Sequence, residues 1–218
     1  MTQTILVTGA TGYIAKHLIF QLLQKGFAVR GSVRSLDSEA ILRSDLIAAG
    51  LTPEMVTAGL NCVVLDLGSD AGWDAALTGV DALMHTASPF PLAAPKDEET
   101  LIRPAVDGTI RALKAAKNAN VHRVILTSSA AAIVSYPQKL GGAPFDETDW
   151  ADLETSAAYP KSKTLAERAA WDFVSTDAPD MALTTINPGL VLGPPIGQRY
   201  GSSLQVVERA LSGKDPML

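Results

Sequence analysis

The sequence predicts an α/β fold with a doubly wound parallel sheet, because short apolar runs alternate with longer helical patterns along the chain. The runs are rich in Val and Ile and lack polar alternation, which is typical of strands covered on both faces. Right-handed crossovers between parallel strands favour the strand order 3-2-1-4-5-6. The predicted strands are Thr4–Val7, Ala28–Val33, Cys62–Leu65, Ala82–His85, Arg123–Thr127 and Ala182–Asn187, and the predicted helices lie near 12–25, 38–49, 70–78, 98–118, 157–175 and 202–212.

The composition, 47% hydrophobic and 19% charged over 218 residues, is that of an ordinary globular protein. The net charge is −5 and the 18 Lys and Arg residues are scattered, so we expect no nucleic-acid partner. Cys62 is the single cysteine, which excludes an internal disulfide and suits a core position in a reducing cytoplasm. No apolar run reaches about 18 residues and no basic leader precedes the first strand, so we expect a cytoplasmic protein without a membrane segment. The dispersed residues His17, His85 and His122 lack ligand spacing, so no metal site is expected.

A glycine turn follows the first predicted strand and opens the first helix, at Thr8-Gly-Ala-Thr-Gly-Tyr-Ile-Ala15. Gly9 can adopt the dihedral angles of a tight turn, and Gly12 allows a pyrophosphate to approach the backbone. Ala15 has a side chain small enough for close packing of the helix on the strand. Backbone N–H groups and the helix dipole would then face the phosphates of a dinucleotide.

The end of the second strand carries Arg34, where an NAD-binding protein usually has an acidic residue for the ribose 2′-hydroxyl. A guanidinium offers a planar donor fork that suits a 2′-phosphate, so the sequence favours NADP. Asp37 lies slightly further along the chain and keeps NAD open as an alternative.

Tyr159 and Lys163 lie one helical turn apart at the start of a predicted helix, so their side chains share a face. A protonated Lys beside a phenol stabilises phenolate, so we expect Lys163 to lower the pKa of Tyr159 toward working pH. The phenol could then exchange a proton with an alkoxide formed by hydride transfer. Ser128 and Ser129 end the fifth strand, where a hydroxyl could polarise a substrate carbonyl or could simply cap the following turn.

With these residues in view, the sequence resembles the extended short-chain dehydrogenase/reductase superfamily, whose fold is Rossmann-like. It is most similar to the branch of dihydroflavonol reductase, cinnamoyl-CoA reductase and related ketone and aldehyde reductases. The motifs that carry the resemblance run along the whole chain: TGATGYIAKHL at 8–18, SVR at 32–34, LDL at 65–67, HTASPF at 85–90, RPAVDGT at 103–109, LTSSAAA at 126–132, YPKSKTLAERAAW at 159–171 and INPGLVLGPP at 186–195.

The resemblance implies a role for each matching position. Ser129 would polarise the substrate, Tyr159 would be the acid/base, and Lys163 would bind the nicotinamide ribose. Arg34 would meet the 2′-phosphate. Asp66 and Leu67 would meet the adenine, and Thr86, Ala87 and Ser88 would line the path between adenosine and nicotinamide. The other expected cofactor-binding residues are Gly9, Thr11, Gly12, Tyr13, Ile14, Arg34, Thr127, Tyr159, Lys163, Pro188 and Ser203.

Two departures from the family pattern affect these expectations. Ala105 stands where some members have an Asn, so a proton relay would have to differ or use water. The lysine that often follows Arg34 in this branch and assists phosphate binding is missing, and Arg43 is its only nearby substitute. Residues 1–190 are expected to form the NADP-binding domain, and 191–218 the start of a C-terminal substrate lobe that is largely absent from this chain. The loops 86–97 and 130–156 should line the site.

The expected function is therefore reduction of an aldehyde or ketone by NADPH, on a small-molecule substrate and by a monomer or homodimer. Two alternatives remain open. One is a nucleotide-sugar epimerase or dehydratase with tightly bound NAD, and the other is a non-catalytic NADP-sensing regulator.

Overall fold

Six parallel strands form one sheet in the computed structural model, which describes residues 2–89, 95–134, 142–198 and 201–212. The strand order is β3-β2-β1-β4-β5-β6, and every neighbouring pair is parallel, which confirms the predicted fold. The strands are β1 (Thr4–Val7), β2 (Ala28–Val33), β3 (Leu60–Val64), β4 (Ala82–His85), β5 (Arg123–Thr127) and β6 (Ala182–Ile186).

Seven α-helices lie in the described residues: α1 (Tyr13–Gln24), α2 (Glu39–Ala48), α3 (Pro53–Gly59), α4 (Trp73–Leu77), α5 (Glu99–Asn118), α6 (Ala158–Thr176) and α7 (Ser202–Leu211). The short helix α3 was not predicted. Its sequence signal is local, because the Thr52 hydroxyl caps the amide of Met55 at 3.2 Å and Pro53 occupies the first turn. Helix α4 is shorter than predicted because Gly72 precedes it in a left-handed conformation, with φ of 85°.

Each face of the sheet packs against a separate group of helices. On β1, Leu6 faces the core formed with α4, α5 and α6, whereas Ile5 and Val7 face the core formed with α1, α2 and α3. Alternate residues of a strand point to opposite faces, so burial on both sides requires an uninterrupted apolar run. No helix of the described residues is long and apolar enough to cross a membrane.

The sheet reverses its winding between β1 and β4, which are adjacent although about 75 residues separate them in sequence. Because all strands run the same way, the turns that follow β1, β4, β5 and β6 emerge at one edge. Ligands of doubly wound sheets bind at the carboxyl edge near such a reversal. The predicted site residues lie there.

Candidate active site

Two adjoining cavities form a cleft along the carboxyl edge of the sheet. The larger has a volume of about 620 Å³ and extends over the ends of β2 and β3. The smaller, of about 270 Å³, extends over the ends of β5 and β6 and reaches α6. Both are lined by Gly9, Gly12, Thr86 and Ser88, so the glycine turn lies where the cavities meet.

The glycine turn leaves the floor of the cleft open to a ligand. Gly9 has a φ of 67°, and a Cβ added there would lie 3.2 Å from Ala87. Gly12 precedes α1 and provides no side-chain cap for it. The first N–H groups of a helix have no intrahelical acceptors, so the start of α1 is suited to bind an anion.

A hydrogen-bonded clamp joins the ends of β1 and β4 beneath this turn. The buried Thr8 hydroxyl accepts from the amides of Thr86 and Ala87, each at 3.0 Å. Its own proton must therefore go to Nδ1 of His85, 2.9 Å away, and the neutral His85 carries its proton on Nε2. Burial lowers the pKa of His85 to about 4, and the charge of Lys163 contributes to this. Thr8 was not among the site residues predicted from the sequence.

The larger cavity contains Arg34 as an exposed cation. No hydrogen bond or ion pair joins Arg34 to any residue that the structure describes, so its guanidinium is available to a ligand. Asp37, the residue that kept NAD open, does not line either cavity, and its carboxylate accepts from the Ser35 hydroxyl at 2.8 Å.

Arg43, the nearest substitute for a phosphate-binding lysine, does not line either cavity of the cleft. Its guanidinium binds the Glu39 carboxylate at 2.6 and 2.8 Å and donates to the carbonyls of Val56 and Leu60. Leu60 is the first residue of β3, at the opposite end of that strand from the cleft. Arg43 therefore stabilises the packing of α2 and α3 instead of facing the cofactor cleft.

The far wall of the larger cavity is the turn 66–70, which two side chains fix. The Trp73 indole donates to the carbonyls of Asp66 and Ser69 at 3.2 and 3.0 Å. Arg111 of α5 donates to the carbonyl of Leu67 and pairs with Asp70. Gly108 of α5 lets Leu67 approach, because a Cβ there would lie 3.0 Å from the Leu67 Cβ. These contacts hold Asp66 and Leu67 at the cavity. The contacts themselves were not predicted from the sequence.

The smaller cavity brings together Ser129, Tyr159 and Lys163. The hydroxyls of Ser129 and Tyr159 are hydrogen-bonded, and the Lys163 ammonium lies 6.0 Å from the centroid of the Tyr159 ring. Ser129 also caps the following turn by accepting from the amide of Ala131 at 3.1 Å. The two interpretations of this serine are therefore compatible.

The pKa of Tyr159 is raised in this structure, and not lowered as expected. Burial raises the pKa of Tyr159, and the hydrogen bond from Ser129 offsets only part of that rise. Burial also lowers the pKa of Lys163 to about 8, although the charge of Glu167 raises it. Spacing on a helix predicted the shared face correctly but could not reveal how strongly each group is desolvated.

The remaining predicted residues also lie along this cleft. Thr11 lines the larger cavity, and the smaller one is lined by Tyr13, Ile14, Thr127, Pro188 and Ser203. In the predicted loops, residues 86–89 line the cleft, and Ala130, Ala131, Val134, Thr155, Ser156 and Ala157 line a third cavity of about 450 Å³ with Pro160. Residues 90–94 and 135–141 of those loops lie outside the described residues. Among the described residues, no group of three or more His, Cys, Asp or Glu could hold a metal ion.

A parallel sheet that reverses its winding above a glycine turn, with a cleft at that point, defines a dinucleotide-binding protein of the Rossmann type. Residues 5–218 match the model of the NAD dependent epimerase/dehydratase family, and the chain belongs to that family. It is thus an extended short-chain dehydrogenase/reductase, as its motifs suggested.

Several relatives of this chain are named as reductases. The chain is 39% identical over 204 residues to a putative NADPH-dependent methylglyoxal reductase of Candida albicans, covering 88% of this chain and 59% of that protein. It is 36% identical over 222 residues to an anthocyanidin reductase of Vitis vinifera, covering 98% of this chain and 63% of that protein. The crystal structure of Gre2 from Candida albicans in complex with NADPH has a TM-score of 0.82 and 32% identity, covering 96% of this chain and 65% of that chain. The chain therefore spans less than two thirds of each of these proteins.

Proposed function

We propose that the protein is an NADPH-dependent reductase that converts an aldehyde or ketone to the alcohol. One observation carries the proposal: Ser129, Tyr159 and Lys163 converge in the smaller cavity, which adjoins the larger cavity suited to a dinucleotide. The relatives named as reductases support it. Residues 1–190 would form the cofactor domain, and 191–218 would begin the substrate lobe.

The residues of the cleft fit NADPH in shape and charge. Gly9, Gly12 and the start of α1 would receive the pyrophosphate. Arg34, which pairs with none of the residues that the structure describes, would receive the 2′-phosphate. Asp66 and Leu67 would border the adenine. When bound, NADPH supplies the hydride that the carbonyl carbon accepts.

Proton transfer to the carbonyl oxygen is the task of the smaller cavity. Ser129 donates a hydrogen bond to that oxygen and stabilises the charge that develops on it. Tyr159 then gives up its phenolic proton, which completes the hydroxyl of the product. The phenol of Tyr159 is protonated at neutral pH, because its ordinary pKa lies well above 7 and burial raises it further. Lys163 places a positive charge beside the phenolate that remains.

The proposal is tested by following NADPH oxidation with the purified protein and a panel of aldehydes, ketones and flavonoid-like carbonyls. We expect turnover with at least one carbonyl and slower turnover with NADH. Tightly retained NAD in the purified protein, with no reduction of any carbonyl, would instead favour an epimerase or dehydratase. Binding of NADPH without any turnover would favour a non-catalytic sensor.

A further inference from the structure

Behind the proposed active site, the buried side chain of Glu167 accepts two hydrogen bonds. Glu167 lies on α6, one turn after Lys163, and only 5% of it is exposed. Its Oε2 atom accepts from the hydroxyl of Ser128 and from the side-chain amide of Asn187, the latter at 2.8 Å. One carboxylate therefore links α6 to the residues that follow β5 and β6.

Asn187 extends this network to the backbone of Ser129. Its Nδ2 atom also donates to the carbonyl of Ser129 at 3.2 Å. Both acceptors are oxygens, so the orientation of the Asn187 amide is fixed by its partners. Ser129 is therefore held by the backbone pairing of Ala130 with Pro188, at 2.9 Å, and by the chain of contacts that ends at Glu167.

Glu167 is also the acidic group whose charge raises the pKa of Lys163. Lys163 is 8% exposed, and Lys163 and Glu167 line a cavity of about 10 Å³ together with Ser128 and Thr109. That volume is about what one water molecule requires. The elements packed around Lys163 present His85 from β4 and hydroxyls from α5 and β5, whereas Glu167 supplies the negative charge.

We propose that Glu167 is a positioning residue of this site, whose carboxylate keeps Lys163 charged beside the cofactor and holds Ser129 in place through Ser128 and Asn187. Glu167 touches neither the substrate nor the cofactor and acts through these neighbours. The inference deepens the proposed function and rests on it.

A charge-neutral variant should change the pH dependence of NADPH binding. Burial lowers the pKa of Lys163 to about 8, and Glu167 raises it, so Glu167→Gln must lower it further. Lys163 carries its charge below its pKa and loses it as the pH rises. Binding that depends on this ammonium should then weaken at a lower pH in Glu167→Gln than in the unaltered protein.

The experiment is a titration of NADPH fluorescence from pH 6 to 9 for the unaltered protein, Glu167→Gln, Glu167→Asp and Asp172→Asn. Asp172 is exposed on the same helix, so its variant controls for net charge. We expect the pH at which binding is halved to fall by at least about half a unit in Glu167→Gln alone. Thermal unfolding of each variant shows that the binding sites compared are folded.

Glu167→Asp keeps the proposal testable if Glu167→Gln does not fold. Its carboxylate retains the charge but is too short to keep both contacts, so the pH midpoint should stay near that of the unaltered protein while carbonyl turnover falls. An unchanged midpoint in folded Glu167→Gln, or a midpoint lowered in Glu167→Asp, overturns the role of Glu167 and leaves the proposed function standing. Failure of the unaltered protein to bind NADPH overturns the proposed function itself, and this inference with it.

Discussion

The larger and the smaller cavity of the cleft are built from different kinds of contact. The larger is shaped by backbone turns and small residues, with Arg34 as an exposed cation at its rim. The smaller is shaped by polar side chains that are buried or half-buried, among them Ser129, Tyr159 and Lys163, and is supported from behind by Glu167. Burial raises the pKa of Tyr159 and lowers that of Lys163 in the smaller cavity.

Under the proposed function, the larger cavity recognises the cofactor and the smaller cavity carries out the reaction. A change of side chain in the larger cavity should alter which dinucleotide binds and how tightly. A change in the smaller cavity should alter the rate of reduction, because under the proposed function its groups would meet the reacting atoms. Two variants test whether the two functions separate in this way.

Ser129→Ala should produce the larger effect of the two. Removing one preorganised donor to a developing oxyanion costs about 10²- to 10³-fold in turnover. Because the proposed contact of its hydroxyl is with the substrate, the affinity for NADPH should change little. Steady-state rates and NADPH fluorescence titrations, measured on the same preparation, give the two values. A loss of affinity as large as the loss of rate would contradict the separation.

Arg34→Ser should erode the preference for NADPH over NADH. One charge-assisted hydrogen bond is worth roughly 1.5–3 kcal/mol, which corresponds to about 10- to 150-fold in affinity. The measurement is the ratio of the dissociation constants of the two cofactors. Arg43→Gln is the matched control, since Arg43 is bound to Glu39 and two carbonyls and should leave the ratio unchanged. Equal affinity of the unaltered protein for both cofactors would refute the role of Arg34.

His85, in the clamp beneath the glycine turn, should have a smaller effect, which is on the free energy of unfolding and not on activity. The pKa of His85 is about 4 in the folded protein and about 6.5 when unfolded, so the unfolded chain binds more protons between these values. This contribution is fully present above about pH 6.5, and from about pH 7 to pH 5 the free energy of unfolding should fall by about 2 kcal/mol.

Urea unfolding at several pH values measures this dependence. His85→Asn keeps an oxygen that can accept from Thr8 but does not titrate, so it should flatten the slope. His122→Asn, at an exposed position, is the control and should leave the slope unchanged. A slope that is the same in His85→Asn and in the unaltered protein would show that other groups cause it.

Local patterns in the sequence predicted the framework of the site. The glycine turn, the strand ends and the one-turn spacing of Tyr159 and Lys163 depend on neighbouring residues, and the structure places each on the expected element. The short helix α3 was missed because its signal is only a capping Thr and a Pro. All strands of the sheet and their order were predicted, because buried parallel strands leave a strong apolar pattern.

The supporting contacts could not be predicted, since they join residues that only the sheet brings together. Thr8 and His85 are 77 residues apart, and Glu167 and Asn187 are 20 apart. The surroundings of Arg43 could not be predicted for a related reason. Proximity in sequence to Arg34 suggested a shared ligand, whereas the fold turns Arg43 toward the other end of β3.

The central claim is that the smaller cavity protonates a substrate held beside NADPH, and Tyr159→Phe tests it most directly. The variant removes the proton donor and keeps the ring, so packing and NADPH affinity should be preserved within about threefold. Carbonyl turnover should fall by at least about 10²- to 10⁴-fold, the range typical of general acid catalysis. Both quantities are measured side by side, by NADPH fluorescence and by steady-state NADPH oxidation. Near-normal turnover in Tyr159→Phe would show that the proton comes from another group and would contradict the account.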